Sequence, residues 1–257
     1  ILITGATSGF GKATAKLRRP CCIVFHLYNF VDVTTFSGLA APSIEYLGWG
    51  TIFFDYDSDG DVDLFVANGH VYPQVDAATG GGRYAQRNQL FQNNNGIYTE
   101  VYGGSALQVE KVSRGTTAGD YDLDGDIDIL VTNLDSSPTL LRNDSSLKGS
   151  SLVIELEGKT PNYFGVGSVV NVWISGVKQT RIVNTASGYL GANSLSLHFG
   201  IPSSGVVDLI EVAYSPAVEQ SFIDRTINLG NLMGRKVVVL KNLRCAIHTD
   251  MNLKSKI

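Results

Sequence analysis

An all-β fold is what this 257-residue sequence predicts, and three observations predict it. Glycine is abundant (28 residues) and methionine scarce (2), which favours turn-rich sheets over helical bundles. Runs such as DLFVAN (63–68) and DILVTN (128–133) are short, β-branched and bounded by turn formers, as strands are. Residues 49–68, WGTIFFDYDSDGDVDLFVAN, align without a gap on residues 114–133, RGTTAGDYDLDGDIDILVTN. At 44% hydrophobic, the chain suits one large or two small cores.

The first residues stand apart from this pattern. ILITGATSGFGKATAKL (1–17) resembles the opening of a short-chain dehydrogenase/reductase, with Gly5, Gly9 and Gly11 as the phosphate turn. That resemblance implies the alternative function, an NAD(P)-binding oxidoreductase. The following residues do not continue it. A helix begun here stops at Pro20, short of the dozen or more residues a crossover takes. Asp32, near the distance expected for a ribose-binding acid, falls inside the repeat described next, and nowhere does a Lys follow a Tyr by four residues. Residues 1–29 are therefore read as a dehydrogenase-like scrap and junction, such as a faulty gene model leaves, with no dinucleotide site. CCIVFHLYNFV (21–31) is too short to span a bilayer. Cys21, Cys22 and Cys245 have neither disulfide-framework nor zinc spacing.

From residue 30 a unit repeats. FVDVTTFSGLA (30–40) echoes YTEVYGGSALQ (98–108), and RNQLFQNNNG (87–96) echoes SPTLLRNDSS (137–146). Each unit reads strand, acidic turn, strand, turn, strand, closing strand. The central offset of 65 residues fits one propeller blade lengthened by the glycine-rich surface loop at 69–86.

The acidic turns carry the chemistry. In the first, Asp55, Asp57, Asp59 and Asp63 occupy positions 1, 3, 5 and 9, with Gly60 at 6 permitting the bend and Asp61 at 7 offering its carbonyl. Asp120, Asp122, Asp124, Asp128, Gly125 and Asp126 repeat this arrangement. Such oxygens suit Ca²⁺, which takes six to eight at about 2.3–2.6 Å in irregular geometry. An EF-hand does not fit, because position 12 is Val66 or Val131 and strands follow. Ten of the 24 acidic residues lie in these two loops, and two Ca²⁺ ions would cancel the formal net charge of −4.

DYDSDGDVDLFVANG and DYDLDGDIDILVTN resemble FG-GAP/VCBS repeats, the blades of calcium-binding β-propellers. LVIELEGKTPNYFGVGSVVNVW, GYLGANSLSLHFGI and VDLIEVAYSP resemble the ASPIC/UnbV domain of cartilage-acidic-protein-like chains. NYFGVG and YSPA stand where that family has Asn-Arg-Asp-Gly-Ile-Gly and Trp-Pro-Ser-Gly. The resemblance implies a secreted or cell-surface protein, periplasmic or extracellular in a bacterium. It implies two structural Ca²⁺ ions, an extracellular protein or glycan partner, and no catalysis.

The resulting expectation is a partial β-propeller, two blades plus a remnant at 30–150, followed by a small β-sandwich-like domain at 151–222. A basic tail with one last strand at VVVLKNL occupies 223–257. It carries Arg225, Arg235, Lys236, Lys241, Arg244, Lys254 and Lys256 against Asp224 and Asp250, read as a solvated end and not a nucleic-acid site. No membrane span is expected. As a fragment of a larger propeller, the wedge is expected to expose WGTIFFDYD and DLFVAN on one flank and TLLRN on the other, and to self-associate through these uncovered blade edges.

Overall fold

The structure, a computed structural model, describes residues 23–26, 29–78, 82–145, 149–157, 162–213, 221–223 and 236–241. It is nearly all β. The hairpin β1 (Ile23–His26) and β2 (Asn29–Asp32) comes first. A turn then leads into the four-residue helix α1 (Ala40–Ser43). β3 (Gly48–Phe54) and β4 (Asp63–Asn68) follow, and after the glycine-rich insertion come β5 (Gln86–Arg87), β6 (Gln89–Asn94) and β7 (Ile97–Val101). Strands β3-β4-β6-β7 form one antiparallel meander, the shape of a propeller blade.

The unit then recurs. A 3-10 turn at Ser105–Gln108 and the short strand β8 (Glu110–Lys111), which pairs with β5, lead into β9 (Ser113–Gly119), β10 (Asp128–Asn133) and β11 (Ser136–Leu141). These three strands make the second sheet. Alternation decides what it buries. On β10, Ile129 and Val131 point inward while Leu130, between them, is 40% exposed. Ile129, Val131 and Ala118 pack against Ile52, Phe54, Phe65 and Ala67 of the first sheet, so the two sheets meet face to face.

Two expectations about the wedge need correction. DLFVAN is not exposed: all six residues of β4 are buried. Leu39, with Val33 packed alongside, covers Leu64, Val66, Phe91 and Tyr98 on that flank. Its turn is fastened by the Tyr98 N–H donating to Ser37 O at 2.8 Å. A Cβ on Gly38 (φ +81°) would lie 2.6 Å from Tyr98 O, so glycine is required there. Among the described residues the second unit also has no closing strand. After β11 the chain reads RNDSSLK, which offers no strand-forming run, and then enters another sheet.

That sheet begins the second part of the molecule. β12 (Gly149–Glu157), β13 (Val169–Ile174), β14 (Val177–Ile182), β15 (Leu197–Pro202), β16 (Val207–Ala213), β17 (Ser221–Ile223) and β18 (Lys236–Lys241) form two sheets, ordered β15-β12-β18 and β14-β13-β16-β17. Their inner faces share one core of Leu152, Ile154, Val170, Val172, Phe199 and Ile210 with their neighbours, a small sandwich. Pairing of β18 with β12 is parallel and draws part of the basic tail into the sheet. The NYFGVG turn is held by Asn162, which accepts from the Val166 N–H and donates to Val166 O.

The two parts touch along the backbone of β9. Asn193 Oδ1 accepts from the Ala118 N–H at 2.9 Å, and Ser194 N–H donates to Ala118 O at 3.0 Å. A Cβ on Gly191 would overlap Thr116 O.

Candidate metal centres

Both acidic loops connect an edge strand to its neighbour, β3 to β4 and β9 to β10, and the two are built alike. Asp55 Oδ2 accepts from the Gly60 N–H at 2.9 Å, as Asp120 Oδ2 accepts from the Gly125 N–H at 3.2 Å. Asp59 Oδ1 accepts from the Asp61 N–H, as Asp124 Oδ1 accepts from the Asp126 N–H. Asp63 takes the N–H groups of Tyr56 and Asn93, and Asp128 takes those of Tyr121 and Asn143. Gly60 and Gly125 have positive φ, and so do Ser58 (56°) and Leu123 (64°) at another shared position. Leucine resists that conformation, so the loop architecture sets the bend at position 4 whichever residue stands there.

Carboxylates converge in each loop. One oxygen each of Asp55, Asp57 and Asp63, all buried, lies within 4.8 Å of the others, and Asp120, Asp122 and Asp124 form the corresponding group in the more exposed second loop. The subsets differ. Asp59 Oδ1 is occupied by the Asp61 N–H, and Asp61 Oδ2 accepts from the Asn95 N–H at 3.2 Å, so Asp61 faces the next turn. Asp63 belongs to the first trio and Asp128, 2% exposed, not to the second, although each uses both oxygens on backbone donors. Asp126 was assigned only its carbonyl from sequence, yet its side chain is 7% exposed and its enclosed Oδ1 has no hydrogen-bond partner.

The charges are held at a cost. Burial pushes the Asp55 carboxyl up to about 7, against the Gly60 N–H, with Asp59 and Asp57 adding repulsion and Arg181 opposing it. Burial likewise pushes Asp63 up to about 8, offset in part by the Asn93 and Tyr56 N–H groups. Asp126 is pushed up to about 7 by burial and then by Asp124, Asp120, Asp128 and Asp122. Asp128 is raised by burial despite its two backbone donors. A hard cation would relieve this, and an all-oxygen donor set that includes an enclosed, unsatisfied carboxylate oxygen fits one. Asp55, Asp57 and Asp63 would hold it in the first loop; Asp120, Asp122 and Asp124, with Asp126 beside them, in the second.

Several residues here carry no sequence signal. Gln92 Nε2 donates to Asp57 Oδ2 at 2.8 Å. The second part lies over both loops: His198 Nε2 is 3.0 Å from Gly125 O, a Cβ on Gly200 would overlap Asp55 Oδ2, and Gln179 Nε2 lies 3.1 Å from where a Cβ on Gly60 would sit. The contacts from the second part join residues more than 70 positions apart, which periodicity does not reveal. Asn93 and Asn143 were visible only as echoing positions. Of the dehydrogenase reading, Gly5, Gly9 and Gly11 lie outside the described residues. Asp32 is described, and its Oδ1 accepts from the Thr34 N–H and hydroxyl.

Residues 158–232 match the ASPIC and UnbV family. The match spans less than a third of the chain and covers β13 to β17, the strands that bring Gln179, His198 and Gly200 to the loops. No curated protein matches the chain. Among the described residues, no helix is long and apolar enough to cross a membrane.

Proposed function

We propose that this chain is a calcium-binding structural or adhesive module: FG-GAP/VCBS-type blades joined to an ASPIC/UnbV-type domain, working at the cell surface or after secretion, without catalysis. Its partner would be an extracellular protein or glycan. The observation that carries the reading is the duplicated loop. Two segments with matching hydrogen bonds and the same positive-φ positions each bring three carboxylates within 4.8 Å of one another, and buried acids there are held above their ordinary range. Calcium would neutralise those charges and fix the two strands joined by each loop at one end.

The test is a melting curve of the whole chain in calcium and in chelator. Metal that binds only the folded form adds about 2.7 kcal/mol at a hundredfold excess over Kd. Asp57→Asn and Asp122→Asn, each in a converging trio, should each remove part of the shift, and together most of it. Midpoints equal in calcium and chelator would end the calcium reading.

A further inference from the structure

Asn143 stands just after β11, at the place that Asn93 holds near the end of β6. Each backbone N–H donates to the last aspartate of its own loop, Asn93 to Asp63 Oδ1 at 2.7 Å and Asn143 to Asp128 Oδ1 at 2.8 Å. Each side-chain oxygen accepts from a following N–H, that of Gly96 for Asn93 and that of Ser145 for Asn143. The side-chain donors then diverge. Asn93 Nδ2 stays within its own loop and donates to Val62 O at 3.0 Å. Asn143 Nδ2 crosses to the first loop and donates to Tyr56 O at 2.7 Å, and Ser145 Oγ donates to the same oxygen at 3.2 Å. Tyr56 lies between Asp55 and Asp57, two of the first trio, and its N–H donates to Asp63, the third. A path of hydrogen bonds therefore runs from Asp63 through Tyr56 and Asn143 to Asp128. A cation that draws Asp55 and Asp57 together fixes the peptide between Tyr56 and Asp57, whose carbonyl is the acceptor in this path. Asn143, held by that carbonyl, keeps its N–H on Asp128, where the second loop ends and β10 begins. Bonds that orient one another in this way are worth more together than apart.

We propose that Asn143, with Ser145, couples the two acidic loops, so that a cation in either loop raises the affinity of the other. This rests on the calcium reading above. Asn143 is a positioning residue, not a ligand. Coupling between binding sites is reciprocal, so each loop affects the other by the same factor, and about fivefold is the lower end of the usual range.

The experiment is calorimetric titration of the whole chain with calcium. Asp57→Asn leaves the second loop to be titrated alone, and Asp122→Asn leaves the first. The wild-type chain is expected to bind its second ion about fivefold or more tighter than the two separate loops together predict. Asn143→Ala should abolish that gain. Ser145→Ala, which removes one of the two donors to Tyr56 O and disturbs the fold less, should reduce it. Asn93→Ala is the control: it removes the equivalent carboxamide, whose bonds stay within one loop, and should keep the gain whatever it does to the first loop itself. A merely structural asparagine would lower the melting midpoint and leave the gain in place. Loops that bind independently in the wild-type chain overturn the proposal while the calcium reading stands. So does a gain unchanged in Asn143→Ala, or unchanged in Ser145→Ala should the Asn143 variant not fold. If no calcium binds the wild-type chain, the functional reading falls and this inference falls with it.

Discussion

Asp63 and Asp128 hold matched places in the two loops, and each spends both oxygens on backbone N–H groups. Burial nevertheless raises both, Asp63 to about 8, while Asp55 and Asp126 reach about 7. These values fix a pH dependence for the metal-free protein. An aspartate in the unfolded chain releases its proton near 3.8, whereas the folded carboxyls of Asp55, Asp63 and Asp126 keep theirs to about 7–8. Between those limits the folded state binds more protons, so stability falls as pH rises. In chelator, the melting midpoint is expected to drop from about pH 5 to pH 8 and to level off above it, and saturating calcium should remove most of the drop, because the ion then compensates the ionised forms. A midpoint that is flat or rising with pH in chelator would contradict the assignment of these carboxyls as buried and uncompensated.

At the scale of elements, β10 shows how one strand serves two environments. Ile129 is 5% exposed and sits in the core between the sheets, while Leu130 faces outward. Ile129→Ala is expected to cost about 2–5 kcal/mol as a cavity in a packed interface. Leu130→Ala should cost about 1 kcal/mol or less, since little is packed over it. Chemical denaturation of the two variants checks this, and equal costs would mean that Leu130 is covered in solution. The loops and the strands beside them were legible in the sequence because their signal is local: alternating aspartates, a glycine at position 6 and a gapless repeat. Three features were not. The missing closing strand after Leu141 depends on where β12 finds its partners, the cover over DLFVAN depends on Leu39 folding back onto β4, and the seating of Gly200 on Asp55 joins two domains. Each is set by tertiary contact, on which a short sequence window is silent.

The described residues form two parts that meet at the acidic loops, with one face uncovered among them. The flank of the first sheet is closed by the segment around Leu39. On the second sheet Leu130 and Leu140 are 40% and 47% exposed, and they line a shallow groove with Thr117 and Ser194. The outer edge of β11 pairs with no strand among the described residues, although the matching edge of β6 carries β7. An unpaired edge beside an apolar face favours strand addition from another chain. The loops' negative charge opposes close approach, and bound calcium would cancel much of it. The chain is therefore expected to self-associate at micromolar concentration, more in calcium than in chelator at low salt. Leu140→Glu should suppress it by placing a charge on the groove, with calcium binding measured alongside because Asp128 of the second loop lines the same groove. Analytical ultracentrifugation decides the matter: a monodisperse monomer with calcium bound, or association unchanged in Leu140→Glu, would show that this face is not where copies meet.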